Sequence, residues 1–168
     1  MTRTQAGVAL GMAAGLAWTA LLFWFGPAIF RPRGDPLAVA AATLILPALA
    51  VILPVARVAA ARFFDPVIID GADPPPGSAA DAANRVLRNS AEQALLAALV
   101  WPALAVMLPP GSLGLVPALG CGFLFARLVF WAGYRRGAVA RSFGFAASFY
   151  PNVAAAAWAL WLFARGLH

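Results

Sequence analysis

Five long apolar runs, separated by short polar loops, limit what this chain can fold into. The runs cover residues 6–30, 37–61, 81–108, 115–136 and 143–163. A helix needs about 20 apolar residues to cross the hydrocarbon core of a bilayer, and each run reaches that length. Only 11% of the residues are charged, whereas soluble domains carry about 25%. We therefore predict an all-α integral membrane helical bundle with five spanning helices.

The first run follows Arg3 and could be mistaken for a cleaved signal peptide. Its apolar stretch is longer than the roughly 7–15 residues of a signal-peptide core, and no convincing cleavage site follows it. We expect it to be an additional N-terminal helix, over residues 1–33, in front of a four-helix core over 37–165. The two parts form a single membrane domain. Pro47 and Pro54 predict a kink in the second run.

Arginines in the loops predict the orientation of the bundle. One side of the membrane receives most of them, whereas the other receives only Arg31, Arg33 and Arg165. The excess of positive loops faces the cytoplasm, so the N-terminus is predicted to be cytoplasmic and the C-terminus to be outside. The net charge of +6 suits contact with anionic lipid, and nucleic-acid binding is not needed to explain it. The expected location is a bacterial inner membrane.

A loop near the middle of the chain carries four carboxylates, at Asp65, Asp70, Asp73 and Asp81, with three consecutive prolines. Such a cluster could suggest a divalent cation. The spacing matches no calcium-binding loop, so we interpret the segment as a solvated loop and predict no metal site.

The third run contains the polar side chains that a bilayer tolerates least. Arg85, Arg88, Asn89 and Glu92 fall within an arc of roughly 100° on one helix face, and we call them the first polar stripe. Charged residues inside membrane helices face other helices or a water-filled cavity, and they commonly mark functional sites. The stripe is therefore a binding-site hypothesis. The alternative is that Glu92 is only a structural partner of Arg88, one turn away.

A second set of polar and aromatic residues follows on the fourth run. Arg127, Phe130, Tyr134 and Arg141 are three, four and seven residues apart, which places them within roughly 60° on one face if the helix continues past Gly137. Arginines bind carboxylates as bidentate forks, a glutamate can bind an ammonium, and an asparagine can bond an amide. Two such faces predict a pocket for an anionic, peptide-like molecule. Alternatively, Arg141 is a topology anchor and Tyr134 an interfacial aromatic.

These two patterns resemble the MAPEG family, the membrane-associated proteins of eicosanoid and glutathione metabolism. The pattern Arg85-x-x-Arg88-Asn89-x-x-Glu92 resembles the start of the family's second helix. The run from Phe125 through Tyr134, with Arg141 beyond it, is similar to the third helix. The resemblance covers roughly residues 37–165. It implies four-helix protomers that assemble as homotrimers, with glutathione bound between subunits near the cytoplasmic face.

The resemblance also implies roles for individual residues. Glutathione, as co-substrate, would be held by residues of both patterns: Arg85, Arg88, Asn89, Glu92, Arg127 and Tyr134. Arg141 would be catalytic, because a nearby guanidinium lowers the pKa of a thiol from about 8.5 and stabilises the thiolate. Two departures from the family pattern, Phe130 and Gln93, bear on the substrate class and on catalytic competence.

The leading functional hypothesis is a glutathione-dependent transferase or peroxidase that acts on a hydrophobic electrophile entering from the lipid. A non-catalytic lipid-binding or scaffold protein on the same fold is the main alternative. A small transporter, with the polar faces lining a path, is a weaker one.

Overall fold

The computed structural model describes residues 1–166 and contains six helices over that range. They are α1 (Arg3–Ile29), α2 (Pro36–Thr43), α3 (Ile45–Phe64), α4 (Ala79–Met107), α5 (Leu115–Tyr134) and α6 (Ala138–Gly166). No strand is present among the described residues. The predicted runs thus appear as helices, with the last one longer than expected. The C-terminus, used above to predict orientation, lies outside the described residues.

Within residues 1–166, four stretches of helix are long and apolar enough to cross a membrane: Arg3–Ile29, Pro36–Phe64, Ala79–Met107 and Leu115–Tyr134. The second of these combines α2 and α3 into one span. The helix α6 has 29 residues and packs against α1, α4 and α5. This arrangement confirms the prediction of an all-α membrane bundle with an additional N-terminal helix.

The span in which the prolines predict a kink is interrupted between α2 and α3. The helical hydrogen-bonding pattern is interrupted at Leu44, three residues before Pro47. Because proline has no N–H, it cannot bond the carbonyl of Thr43, and its ring crowds that carbonyl. Pro54 lies inside α3, which continues through it. Pro47 accounts for the interruption between α2 and α3, and the bend itself stays a prediction.

Side chains fix where α4 begins, and this sets the level of the first polar stripe. The Ser78 hydroxyl accepts a hydrogen bond from the Asp81 backbone N–H at 3.0 Å. The Asp81 carboxylate accepts another from the Gly77 N–H at 2.9 Å. The first bond satisfies a donor that the helix start leaves free, and the second ties the loop to the first turn, so α4 begins directly after the proline-rich loop.

A shared core joins α4, α5 and α6. Its largest buried side chains include Trp101 of α4 and Leu115, Leu119 and Phe123 of α5. The Trp101 indole N–H also donates a hydrogen bond of 2.9 Å to the Asn152 side-chain oxygen of α6. Buried polar groups need such partners, so this bond fixes α4 against α6. The rigid three-helix core positions the polar side chains nearer the start of α4.

Candidate ligand-binding site

The chain reverses direction just after Tyr134, where α5 ends. Gly137 has a φ of +108°, which an L-residue with a side chain rarely adopts, and α6 begins at Ala138. Gly133 lies directly against the Ala140 backbone, so the reversal leaves no room for a side chain there. The helix does not continue past Gly137, and the expectation that Arg127 and Arg141 share one helix face was wrong.

The reversal nevertheless brings the two ends of that pattern together. The Arg141 guanidinium carbon lies 4.5 Å from the centre of the Tyr134 ring. Phe130 packs edge-on against Tyr134, with ring centres 5.4 Å apart. A cation over an aromatic face is attracted by the ring's quadrupole, which fixes the position of the arginine head group. Arg141, in the first turn of α6, is therefore held against the last residue of α5.

Two neighbouring cavities open beside this pair. The first has a volume of about 450 Å³, and its lining includes Asn89, Phe130, Tyr134, Arg141 and Tyr150. The second has about 390 Å³, and its lining includes Asp81, Arg85, Tyr134 and Arg141. Tyr134 and Arg141 line both, so the two cavities are neighbours that share these two side chains. The structure thus brings together four predicted residues from three helices: Arg85, Asn89, Tyr134 and Arg141.

On α4, Arg85 and Asn89 differ in how their polar atoms are occupied. Arg85 Nε lies 2.9 Å from Asp81 Oδ1, the one ion pair found within residues 1–166. The Asn89 amide donates a long hydrogen bond of 3.4 Å to Glu92. Its side-chain oxygen is buried and accepts none. Buried acceptors in proteins are nearly always satisfied, so this oxygen is suited to receive a donor from a ligand in the cavity.

The other two members of the first polar stripe point outward. Arg88 and Glu92 are exposed, and neither lines the two cavities. They share the outer face of α4 with exposed Leu95 and Leu99. Glu92 lies 13 residues after the start of α4 at Ala79, or about 20 Å along a helix of 29 residues. Charges at the middle of a spanning helix are costly in lipid, so this face calls for a protein partner.

Arg127 lies behind the cavity wall. Its side chain is 2% exposed, and its guanidinium donates hydrogen bonds of 3.0 and 3.2 Å to the Ser90 hydroxyl. A further bond of 3.2 Å reaches the Ser148 hydroxyl. The guanidinium carbon lies 4.1 Å from the centre of the Phe130 ring, and Phe130 does line the cavity. Arg127 thus supports the wall from outside, and direct contact with a ligand stays a prediction.

Several residues of the cavity were not found by sequence reasoning: Val8, Met12, Ser142, Phe145 and Tyr150. Tyr150 lies nine residues after Arg141, which is half a turn around α6, so helical spacing gives no sign of it. Val8 and Met12 belong to α1, which the motif pattern does not include. Only the packing of α1 against α6 reveals their place.

These features define an integral membrane bundle with a ligand-sized cavity that gathers arginine, tyrosine and asparagine side chains from three helices. A family model, described as the MAPEG family, matches residues 36–164, which is most of the chain. The chain belongs to the MAPEG family. No curated protein and no solved structure matched it. The matched range begins at the start of α2, so α1 lies outside it.

Proposed function

We propose that the protein binds glutathione in this cavity and uses it to attack a hydrophobic electrophile from the membrane. The observation that carries the proposal is the position of Arg141, stacked on Tyr134 and shared by both cavities. Arg85 lines one of these cavities and Asn89 lines the other. Glutathione is a tripeptide with a thiol. A cation could stabilise its thiolate, while the neighbouring polar side chains bind its peptide groups.

Glutathione has two carboxylates, one ammonium group and two amides; the cavities offer groups for a carboxylate and an amide, and Glu92, outside them on α4, offers one for the ammonium. Arg85 would bind a carboxylate as a fork, exchanging its present partner Asp81 for the ligand. The free Asn89 oxygen would accept an amide N–H. Glu92 would bind the ammonium from the outer face of α4, so this end of the ligand lies at a subunit boundary.

Arg141 would stabilise the thiolate, because a nearby positive charge favours the ionised sulfur. The thiol proton leaves to solvent, and the sulfur electron pair forms a new C–S bond with the electrophilic carbon. In a substitution, the leaving group departs with its bonding pair. In an addition, the neighbouring carbon takes up a proton. With a hydroperoxide, two glutathione molecules supply two electrons, yielding one disulfide, one alcohol and one water.

A homotrimer would cover the outer face of α4. That face carries Arg88 and Glu92 near the middle of the helix and continues through exposed Leu95 and Leu99. Placed against other copies of α4, the apolar residues would pack together and the charges would lie away from lipid. We assign Arg88 to this boundary, where it can balance Glu92 of the same stripe.

The test is a titration of the purified protein with glutathione, followed by the ultraviolet absorbance of the thiolate. We expect a saturable absorbance increase at neutral pH that an S-methyl glutathione control, which has no ionisable thiol, does not give. Binding without thiolate formation would contradict the enzymatic proposal. Absence of any binding, measured by calorimetry on the same sample, would contradict the choice of glutathione.

One observation favours a second function, a non-catalytic lipid-binding or scaffold protein. Phe130, which packs against Tyr134 in the cavity wall, has no hydroxyl, and much of the remaining lining is apolar, including Met12 and Phe145. Such a cavity could retain a lipid without performing chemistry. The lipid-binding function predicts that a fatty acid binds to the protein and that glutathione gives no thiolate absorbance.

A further inference from the structure

Helix α1 lies in very close contact with α6, and the two run parallel. Three glycines, spaced four residues apart, each meet α6 at a nearly constant offset: Gly7 against Val139, Gly11 against Ser142, and Gly15 against Ala146. A Cβ on Gly11 would collide with the Ser142 hydroxyl, and one on Gly15 would collide with the Ala146 methyl. Small residues let membrane helices approach at the backbone, so the register of α1 on α6 is fixed.

That register places two apolar side chains of α1 at the cavity. Val8 and Met12 are four residues apart and therefore lie on one face. Both line the cavity that contains Arg141. Met12 directly follows Gly11, which meets Ser142, so Met12 lies level with Phe143, two residues beyond Arg141 in α6.

The wall that α1 supplies is a feature of this chain beyond the family core. The family match covers residues 36–164, and α1 ends at Ile29. Val8, Met12, Phe130 and Phe145 together give the cavity an apolar side next to the arginine. Methionine is flexible and polarisable, and Met12 is 44% exposed, so its side chain can adjust to an apolar ligand.

We propose that α1 determines which hydrophobic electrophiles reach Arg141, with Met12 and Val8 in contact with the apolar part of the substrate. The identity of the ligand rests on the proposed function, whereas the position of the wall does not. A larger side chain at position 12 should exclude bulky substrates, and a smaller one should admit them. Thiolate formation, which depends on Arg141, and carboxylate binding by Arg85, which lines the neighbouring cavity, should not change.

The experiment compares Met12→Trp and Met12→Ala with wild type on a series of 2-alkenals of increasing chain length. In this reaction the thiolate attacks the β-carbon and the α-carbon takes up a proton. Leu10→Trp is the matched control, because Leu10 is on the same helix, 74% exposed, and not part of the cavity lining. Thiolate absorbance is recorded for every variant, and a fluorescent fatty acid serves as a probe that needs no chemistry.

We expect Met12→Trp to lower kcat/KM for long alkenals about tenfold or more relative to short ones, the scale on which apolar pockets discriminate size. Met12→Ala should shift preference toward longer chains, and Leu10→Trp should match wild type. Equal selectivity of Met12→Trp and Leu10→Trp would overturn the proposal.

Failure of the proposed function would be seen separately, as absence of the wild-type thiolate signal. In that case, binding of the fluorescent fatty acid tests whether α1 forms the cavity wall. Weaker probe binding to Met12→Trp than to Leu10→Trp supports the α1 wall, whereas equal binding, or none to wild type, overturns it.

Discussion

The guanidinium of Arg141 stacks on the ring of Tyr134 across the turn that joins α5 to α6, at 4.5 Å from the ring centre. The contact places a cation at the boundary of two cavities, although the residues belong to different helices. A ligand in either cavity therefore meets the same positive charge. The role of Arg141 can be separated from that of the other arginines by experiment.

We expect Arg141→Ala to abolish the thiolate absorbance while retaining much of the glutathione binding, because the charge next to the sulfur is lost but the carboxylate-binding group remains. Absorbance and calorimetric titrations measure the two effects. The matched control is Arg136→Ala, which removes an equal charge from an exposed residue close to the same turn. If both variants keep the thiolate signal, Arg141 is only a topology anchor.

Arg85→Ala should weaken glutathione binding by about 1.5–3 kcal/mol, the range for a hydrogen bond to a charged group. The thiolate signal at saturation should remain, since Arg141 is intact. Calorimetry with Arg3→Ala as control, an exposed arginine at the start of α1, measures the difference. An affinity unchanged within a factor of two would exclude Arg85 as a carboxylate-binding residue.

Ser90→Ala should destabilise the bundle, because two of the buried Arg127 donors would lose their acceptor. An unsatisfied buried group costs about 1–3 kcal/mol, and more when it is charged. The thermal midpoint in detergent measures the loss. Ser112→Ala, in the turn before α5, is the control and should leave the midpoint unchanged. A stable Ser90→Ala variant would mean that Arg127 has other partners.

A cysteine at position 99 should cross-link neighbouring subunits if the α4 faces meet. The variant Leu99→Cys is made in a Cys121→Ser background, and oxidation should produce covalent dimers within a trimeric particle. The control is Trp24→Cys, at an exposed site on α1. Mass measurement in detergent checks the assembly. A monomer that still binds glutathione would contradict the trimer.

A reporter fused after residue 168 should be active only on the non-cytoplasmic side, as the arginines in the loops predict. A second fusion, in the loop between α3 and α4, should report the cytoplasmic side. A cytoplasmic signal from both would mean that one of the five predicted spans does not cross the membrane.

Much of the fold could be predicted from the sequence, because apolar runs of spanning length leave few alternatives and Pro47 accounts for the interruption between α2 and α3. The positions of Arg85 and Asn89 in the site agree with helical spacing. The place of Arg141 could not be derived in that way, since Gly137 reverses the chain and the contact with Tyr134 depends on a turn. Helical spacing could not distinguish Arg127 from an arginine that binds a ligand. Its partners, Ser90 and Ser148, lie on two other helices, so only the structure shows that they bind it.

The contact between α1 and α6 has a consequence for biosynthesis. The helix α1 ends at Ile29 and α6 begins at Ala138, so α1 enters the membrane well before its packing surface has been made. The glycine face of α1 therefore has no partner helix while α2 to α5 are inserted. A chain arrested before α6 lacks both Arg141 and the surface that holds Met12. Arg141 and the surface that holds Met12 are therefore both added with the last helix, after the other five have been made.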